Sequence, residues 1–301
     1  MKSLCLYNPL ASRVRPEALR EKLGRRPFWG EVTFLSLLEP DWEKCLRPGM
    51  KILVYGGDGT IHHSLQKLIG KKLDLYFLPG GTANDFCHHI GLSNKVGRSL
   101  DLLENASPAA FDTISANGRH ILTGGGFGMG FQIARSANRL KKTIPGRVLR
   151  FFTGGKIYSL LMVWHAFVDR PLKMKMTMAA GEPKFREGCA IIFTNQKKLG
   201  KDILLAPETT NGDGLFHLVL FGHPSGAGVL ASILRIKRGH RKPDSLLIRR
   251  EAKRVSFRFQ SPVQAFGDGE EIPPGLEWDL ICHRDALSVH VPQSFHRKVG
   301  D

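Results

Sequence analysis

The sequence predicts an α/β fold up to about residue 120 and a mainly antiparallel β fold beyond it. Three observations carry this reading. The short apolar runs 52–55 and 75–78 read as buried strands, and each leads into a glycine-rich turn. Between them Ile61, Leu65, Leu68 and Ile69 recur at helical spacing, so the order is strand, turn, helix, strand, turn, as in a parallel sheet whose ligands sit beyond the carboxyl ends of its strands. Later runs instead alternate, as in Lys173-Met174-Lys175-Met176-Thr177-Met178 and Arg254-Val255-Ser256-Phe257-Arg258-Phe259, the pattern of antiparallel strands with one face buried.

Taken in order, an opening strand runs into Tyr7-Asn8-Pro9, and 17–23 is helical. The strand at 52–55 ends in Gly56-Gly57-Asp58-Gly59-Thr60 and is followed by a helix over 62–68. The strand at 75–78 ends in Pro79-Gly80-Gly81-Thr82-Ala83-Asn84-Asp85. Helical stretches at 131–142, 146–168 and 226–237 interrupt the β-rich second half. No repeat, low-complexity tract or long linker is visible.

The two turns are suited to phosphate, because glycine lets the backbone approach phosphate oxygens and helix N-termini face them with free N–H groups. Asp58 adds a condition. A carboxylate in such a turn would repel a pyrophosphate unless a divalent cation stood between them. The alternative is a tight turn in which Asp58 bonds only local backbone, and Asn84 or Asp85 reads equally as a helix N-cap.

At 301 residues with 42% hydrophobic composition, the chain has room for two ordinary domains. No apolar run approaches the roughly 20 residues that span a bilayer, and the start has no signal-peptide layout. Five scattered cysteines read as reduced thiols in a cytoplasmic protein. The charge is strongly basic, with 44 Lys and Arg against 27 Asp and Glu. It is also clustered: 135–156 holds seven basic residues and no acid, and 235–254 holds nine against Asp244 and Glu251. No zinc-finger spacing or helix-turn-helix accompanies it, so no nucleic-acid partner is expected, and an anionic membrane surface fits better.

The pair of turns resembles the nucleotide site of the diacylglycerol kinase catalytic family, which includes sphingosine and ceramide kinases and soluble bacterial lipid kinases. Further segments resemble it in the same order: Asn8-Pro9, the glycine-rich 124–130, Asn195-Gln196, Ala206-Pro207, Asp213-Gly214-Leu215, Gly239-His240, Gly267-Asp268-Gly269-Glu270 and the closing 287–292. The resemblance implies an N-terminal three-layer α/β domain of the NAD kinase and diacylglycerol kinase type over 1–120. It implies a mainly antiparallel β-sandwich domain for the lipid substrate over 121–285, and a segment 286–301 returning to the first domain. It implies ATP and Mg²⁺ as cofactors, and transfer of the γ-phosphate to a hydroxyl of diacylglycerol or a related lipid. The nucleotide would be lined by Asn8, Pro9, Ser12, Gly56, Gly57, Asp58, Gly59, Thr60, Gly80, Gly81, Thr82, Asn84 and Asp85. Asp58 would serve the Mg²⁺–phosphate side and Glu270 would be the general base. Asp213, the carbonyl of Leu215 and Thr210 resemble a second, structural Mg²⁺ site of some bacterial members. By residue pattern alone, 267–270 is equally a hairpin turn with exposed acids and 211–214 a tight turn. Cytoplasmic, peripherally membrane-associated placement follows, with a homodimer as a further candidate assembly.

Three positions depart from the family pattern. His62-His63 stands where many bacterial members have Asn-Glu, Ser12 where glycine is common, and Thr123 where asparagine is common. The His62-His63 and Cys87-His88-His89 clusters do not form a zinc site, because adjacent helical residues point apart. Two other functions stay open: an NAD kinase-like enzyme, which shares the Gly-Gly-Asp-Gly turn, and a lipid- or nucleotide-binding regulator without catalysis.

Overall fold

The computed structural model describes residues 2–82, 84–142, 157–168, 171–178, 181, 184–199, 203–204, 206, 208–209, 212–222, 227–228, 231, 234 and 247–295. Thr210, Gly239-His240 and much of the two basic clusters lie outside them. The chain forms two compact units, Met1–Thr113 with Arg284–Asp301, and Ile114–His283.

The first unit is built on a parallel sheet. Its strands are β1 (Lys2–Tyr7), β2 (Glu31–Ser36), β3 (Lys51–Gly56) and β4 (Asp74–Pro79), in the order β2, β1, β3, β4, all parallel. Every residue of β3 is buried, as expected of a central parallel strand covered on both faces. Helices α1 (Pro16–Gly24), α2 (Asp58–Leu68), α3 (Asp85–His89) and α4 (Val96–Glu104) make the connections, and Leu19, Leu23, Ile61, Leu65, Leu68, Leu100 and Leu103 bury their apolar sides. Burying each such side chain contributes about 1.5–3 kcal/mol. Lys51 starts β3 with its Nζ donating to the Phe28 carbonyl at 2.7 Å and lying 3.5 Å from the Phe28 ring centre. Burial pushes its pKa down.

The last strand returns to this sheet, Val289 pairing in parallel beside Leu75 of β4. His290 fastens it by stacking on Tyr76 at 4.3 Å and placing Nε2 3.3 Å from Asp74 Oδ1. This gives the closing segment its place on the first unit.

The second unit is mainly antiparallel, and its long strands succeed one another across the sheet as β14 (Leu247–Ala252), β13 (Phe216–Phe221), β10 (Ala190–Thr194), β7 (Gly124–Gly128), β15 (Arg254–Gly267) and β16 (Glu270–Val291). Strand β15 also pairs with β8 (Leu172–Met178), which pairs with β9 (Lys184–Gly188). Further strands are β5 (Ser107–Ala116), of which only Ile114–Ala116 belong to this unit, and the short β6 (Arg119–Ile121), β11 (Lys198–Leu199) and β12 (Ile203–Leu204). The core gathers on Phe127, whose ring lies 5.0–5.8 Å from those of Phe193, Phe257, Phe259 and Trp278. The glycines of β7 answer to packing, since a Cβ on Gly125 would run into the Phe266 carbonyl and the Phe193 ring. Helices α5 (Met129–Lys142) and α6 (Ile157–Val168) pack on each other, with Ser136 Oγ 3.0 Å from His165 Nε2. Among the described residues no helix is long and apolar enough to cross a membrane.

Candidate active site

In the first unit the chain leaves β1 toward β2 on one side and leaves β3 toward β4 on the other. The carboxyl ends of β1 and β3 are therefore a topological switch point, where connections diverge and open α/β sheets bind ligands. The Asn8 turn follows β1, and the Gly56–Thr60 turn follows β3. They meet there through Asn8 Nδ2, which donates to Thr60 Oγ1 at 3.2 Å.

The second glycine turn is held directly against the first. The Gly80 N–H donates to the Gly56 carbonyl at 2.6 Å, and the Arg13 N–H donates to the Gly80 carbonyl at 3.0 Å. A Cβ on Gly81 would sit 2.5 Å from the Gly57 Cα, so glycine at both positions is what lets the two backbones touch. Ser12 Oγ and Thr82 Oγ1 lie 3.3 Å apart on the exposed side. Tyr55, with its phenol pKa raised mainly by burial, ties the Arg13 carbonyl to the strand through a 3.0 Å bond.

Several candidate residues hold the frame. Thr60 is buried and its hydroxyl accepts from Gly57 N–H at 3.3 Å and from Asn8. Asn84 is fully buried with φ 55°, its Oδ1 accepting from Gly81 N–H at 2.8 Å and its Nδ2 donating to the Gly81 carbonyl at 2.9 Å and to Asn94 Oδ1 at 2.7 Å. It precedes α3 as the N-cap residue but spends its side chain on the turn. Asp85 is exposed. Asp58 opens α2, and its Oδ1 accepts the Phe86 N–H at 3.3 Å, which couples the start of α2 to the start of α3. The N-terminus of α2 opens at these turns, and the N–H groups of a helix's first turn suit an anion. Nearby Cys87 has its thiol pKa pushed up by burial and by the Asp58 charge, so it is not a nucleophile here. His62 is buried and His63 exposed.

In the second unit, Asp268 and Gly269 form the two-residue turn between β15 and β16, with φ 52° and 85°, the type I′ signature of Asp-Gly hairpins. Asp268 takes the Leu122 N–H at 3.0 Å, the Thr123 N–H at 2.8 Å and the Thr123 hydroxyl at 2.6 Å. The turn is thus clamped to the segment before β7, and half-buried Glu270 leaves it as the first residue of β16, opposite Gly267. Asp213 is exposed and accepts the Leu215 N–H at 2.8 Å, an Asx turn between Gly212 and Gly214, both with positive φ. Thr210 falls outside the described residues, among which no three His, Cys, Asp or Glu side chains converge. Sequence reasoning passed over Asn94, Arg13 and the Asp268–Thr123 clamp, because nothing in a linear pattern marks a bond across two loops.

A surface cavity of about 720 Å³ lies elsewhere, at the amino ends of β3 and β4 around Gly49, Lys72, Asp74 and Ser288. The glycine turns open at the carboxyl ends, and switch-point topology places ligands there.

A parallel sheet with paired glycine turns at its switch point, carried with a mainly antiparallel β unit, is a fold shared with solved diacylglycerol kinase and NAD kinase structures. Residues 43–116 match the diacylglycerol kinase catalytic domain, and residues 146–288 match the YegS C-terminal NAD kinase beta sandwich-like domain. These two matches bear out the resemblance of the chain to the diacylglycerol kinase catalytic-domain family. It is 27% identical over 245 residues to a protein of Pseudomonas syringae pv. tomato named "Probable lipid kinase YegS-like", covering 80% of this chain and 75% of that protein. A protein of the same name from Shewanella frigidimarina is 28% identical over 177 residues, 56% of this chain and 54% of its own length. In fold, the chain is similar to a diacylglycerol kinase of Bacillus anthracis (TM-score 0.66, 17% identity, 98% of both chains). It is also similar to an NAD kinase from Archaeoglobus fulgidus solved with ATP (TM-score 0.53, 11% identity, 99% and 96% covered).

Proposed function

We propose that this protein transfers the γ-phosphate of ATP to a hydroxyl of diacylglycerol or a related membrane lipid. The observation that carries the reading is the backbone contact between Gly57 and Gly81 at the switch point, which leaves a side-chain-free cradle beside the N-terminus of α2. The match to the diacylglycerol kinase catalytic domain supports a kinase that uses ATP, and the names of the relatives support a lipid acceptor. Bound magnesium nucleotide supplies the phosphoryl group and neutralises its charge. Gly57, Gly59, Gly80 and Gly81 allow its close approach, and Asp58 gives a hard oxygen ligand to a cation that otherwise keeps water and phosphate oxygens. Glu270, on its clamped turn, accepts the proton of the lipid hydroxyl as the new O–P bond forms and ADP leaves.

The test is transfer of labelled phosphate from ATP to diacylglycerol, sphingosine, ceramide, phosphatidylglycerol and polyprenol in mixed micelles, with NAD beside them. Glu270→Gln should bind ATP nearly as wild type and turn over ~10²–10⁴-fold more slowly, the usual cost of a lost base. Asp58→Asn should abolish transfer in a folded protein. Equal losses of ATP binding and turnover in Glu270→Gln would remove its role as base. Phosphorylation of NAD alone would replace this reading with the NAD kinase one, for which the Archaeoglobus fold similarity speaks.

A further inference from the structure

Helix α6 carries an apolar face that stays exposed among the described residues. Leu160, Val163, Trp164 and Val168, at i, i+3, i+4 and i+8, are 53%, 39%, 65% and 57% exposed. On a helix these positions form one stripe. Buried His165 lies off that stripe and meets Ser136 of α5, so the helix is anchored by one side and bare on another. The whole helix, Ile157–Val168, holds no Asp, Glu, Lys or Arg.

Its neighbours along the chain are cationic. From 129 to 168 the chain has seven Lys and Arg and no acid, and exposed Lys173 and Lys175 follow on β8. Apolar side chains with a tryptophan, flanked in sequence by basic residues, are the composition of a helix that lies in the headgroup region of an anionic bilayer. A second copy of this chain is a poorer occupant, because a two-fold interface at this helix would bring two strongly basic stretches of sequence together.

We propose that this face of α6 docks the protein on an anionic lipid leaflet by inserting Leu160, Val163, Trp164 and Val168 among the acyl chains. The proposal deepens the lipid-kinase reading, since a lipid hydroxyl must be met at the bilayer. It names an apolar contact that charge alone would not supply.

Trp164 makes the test selective. Of four tryptophans it is 65% exposed, while Trp29, Trp42 and Trp278 are 1%, 9% and 2% exposed. The full chain is mixed with phosphatidylglycerol vesicles whose acyl chains carry bromine, which quenches only a tryptophan within the hydrocarbon. Strong quenching is expected, absent in Trp164→Phe, with weak association on pure phosphatidylcholine. Leu160→Gln with Val168→Gln, both exposed and therefore tolerated by the fold, should weaken vesicle binding at least tenfold, with an unchanged circular dichroism spectrum. Co-sedimentation without quenching, or a double variant that binds like wild type, would overturn the proposal. So would a lipid-free dimer that the double variant dissociates, which would assign the face to a second copy. The double variant should still phosphorylate a water-soluble short-chain diacylglycerol. No transfer by either protein would remove the kinase reading and leave docking to be judged by the quenching alone.

Discussion

Replacing Asn84 tests whether the second glycine turn is held from within. Asn84→Ala strips both Gly81 backbone groups of their side-chain partners, the N–H at 2.8 Å and the carbonyl at 2.9 Å. A buried polar group left unsatisfied costs about 1–3 kcal/mol. Asn94, being exposed, can turn to water and adds little. Alanine must also adopt the left-handed backbone at φ 55°, about 1–2 kcal/mol of strain that asparagine tolerates and glycine avoids. The expected loss is about 3–8 kcal/mol, a large share of the roughly 5–15 kcal/mol that holds a domain together. Asn84→Gly loses the same hydrogen bonds without the strain, so it should recover about 1 kcal/mol of that loss. Urea unfolding of the three proteins gives the differences, and hydrogen exchange at the Gly81 amide reports the local bond. An alanine variant within about 0.5 kcal/mol of wild type, with Gly81 exchange unchanged, would refute the argument, since surface substitutions already reach that size.

Gly81→Ala should separate the two turns, because its Cβ would stand 2.5 Å from the Gly57 Cα; ATP affinity measured by calorimetry should be lost while the second unit keeps its melting transition. Thr123→Val removes the 2.6 Å bond to Asp268 and should destabilise by about 1.5–3 kcal/mol, typical of a hydrogen bond to a charged group, and slow turnover, whereas Thr123→Ser should restore both in denaturation and transfer assays. His120 has its pKa lowered by burial and by neighbouring His283. The unfolded chain then binds the proton more readily, so this contribution to stability is intact above about pH 6.5 and is lost as pH falls toward the folded pKa. Thermal melts of His120→Asn should show a flatter dependence over about pH 5–7 than wild type.

Much was written in the sequence itself. The runs at 52–55 and 75–78 are apolar throughout, which only strands buried on both faces require, and they became β3 and β4. The alternation at 173–178 and 254–259 became the paired strands β8 and β15. Local chemistry also declared the turns, because glycine in series and Asp-Gly have few other uses. The ordered set of motifs was enough to point to the family.

What the linear pattern left undecided are relations between loops. A glycine that serves a phosphate and one that serves a neighbouring backbone are the same letter, and only tertiary structure separates Gly57 and Gly81, which touch each other, from Gly125, which admits a carbonyl and a ring. The same holds for polar side chains. Thr60 and Asn84 read as ligand-facing or capping residues, yet their hydrogen bonds run inward to Asn8, Gly57 and Gly81. The bare stripe of α6 is likewise hard to read in a run that holds no charged residue, where packing of His165 against Ser136 of α5 helps decide which side remains exposed. Short-range propensity is a property of neighbours along the chain, whereas the partner of a hydrogen bond or an apolar face is chosen by which distant segments the sheet brings together.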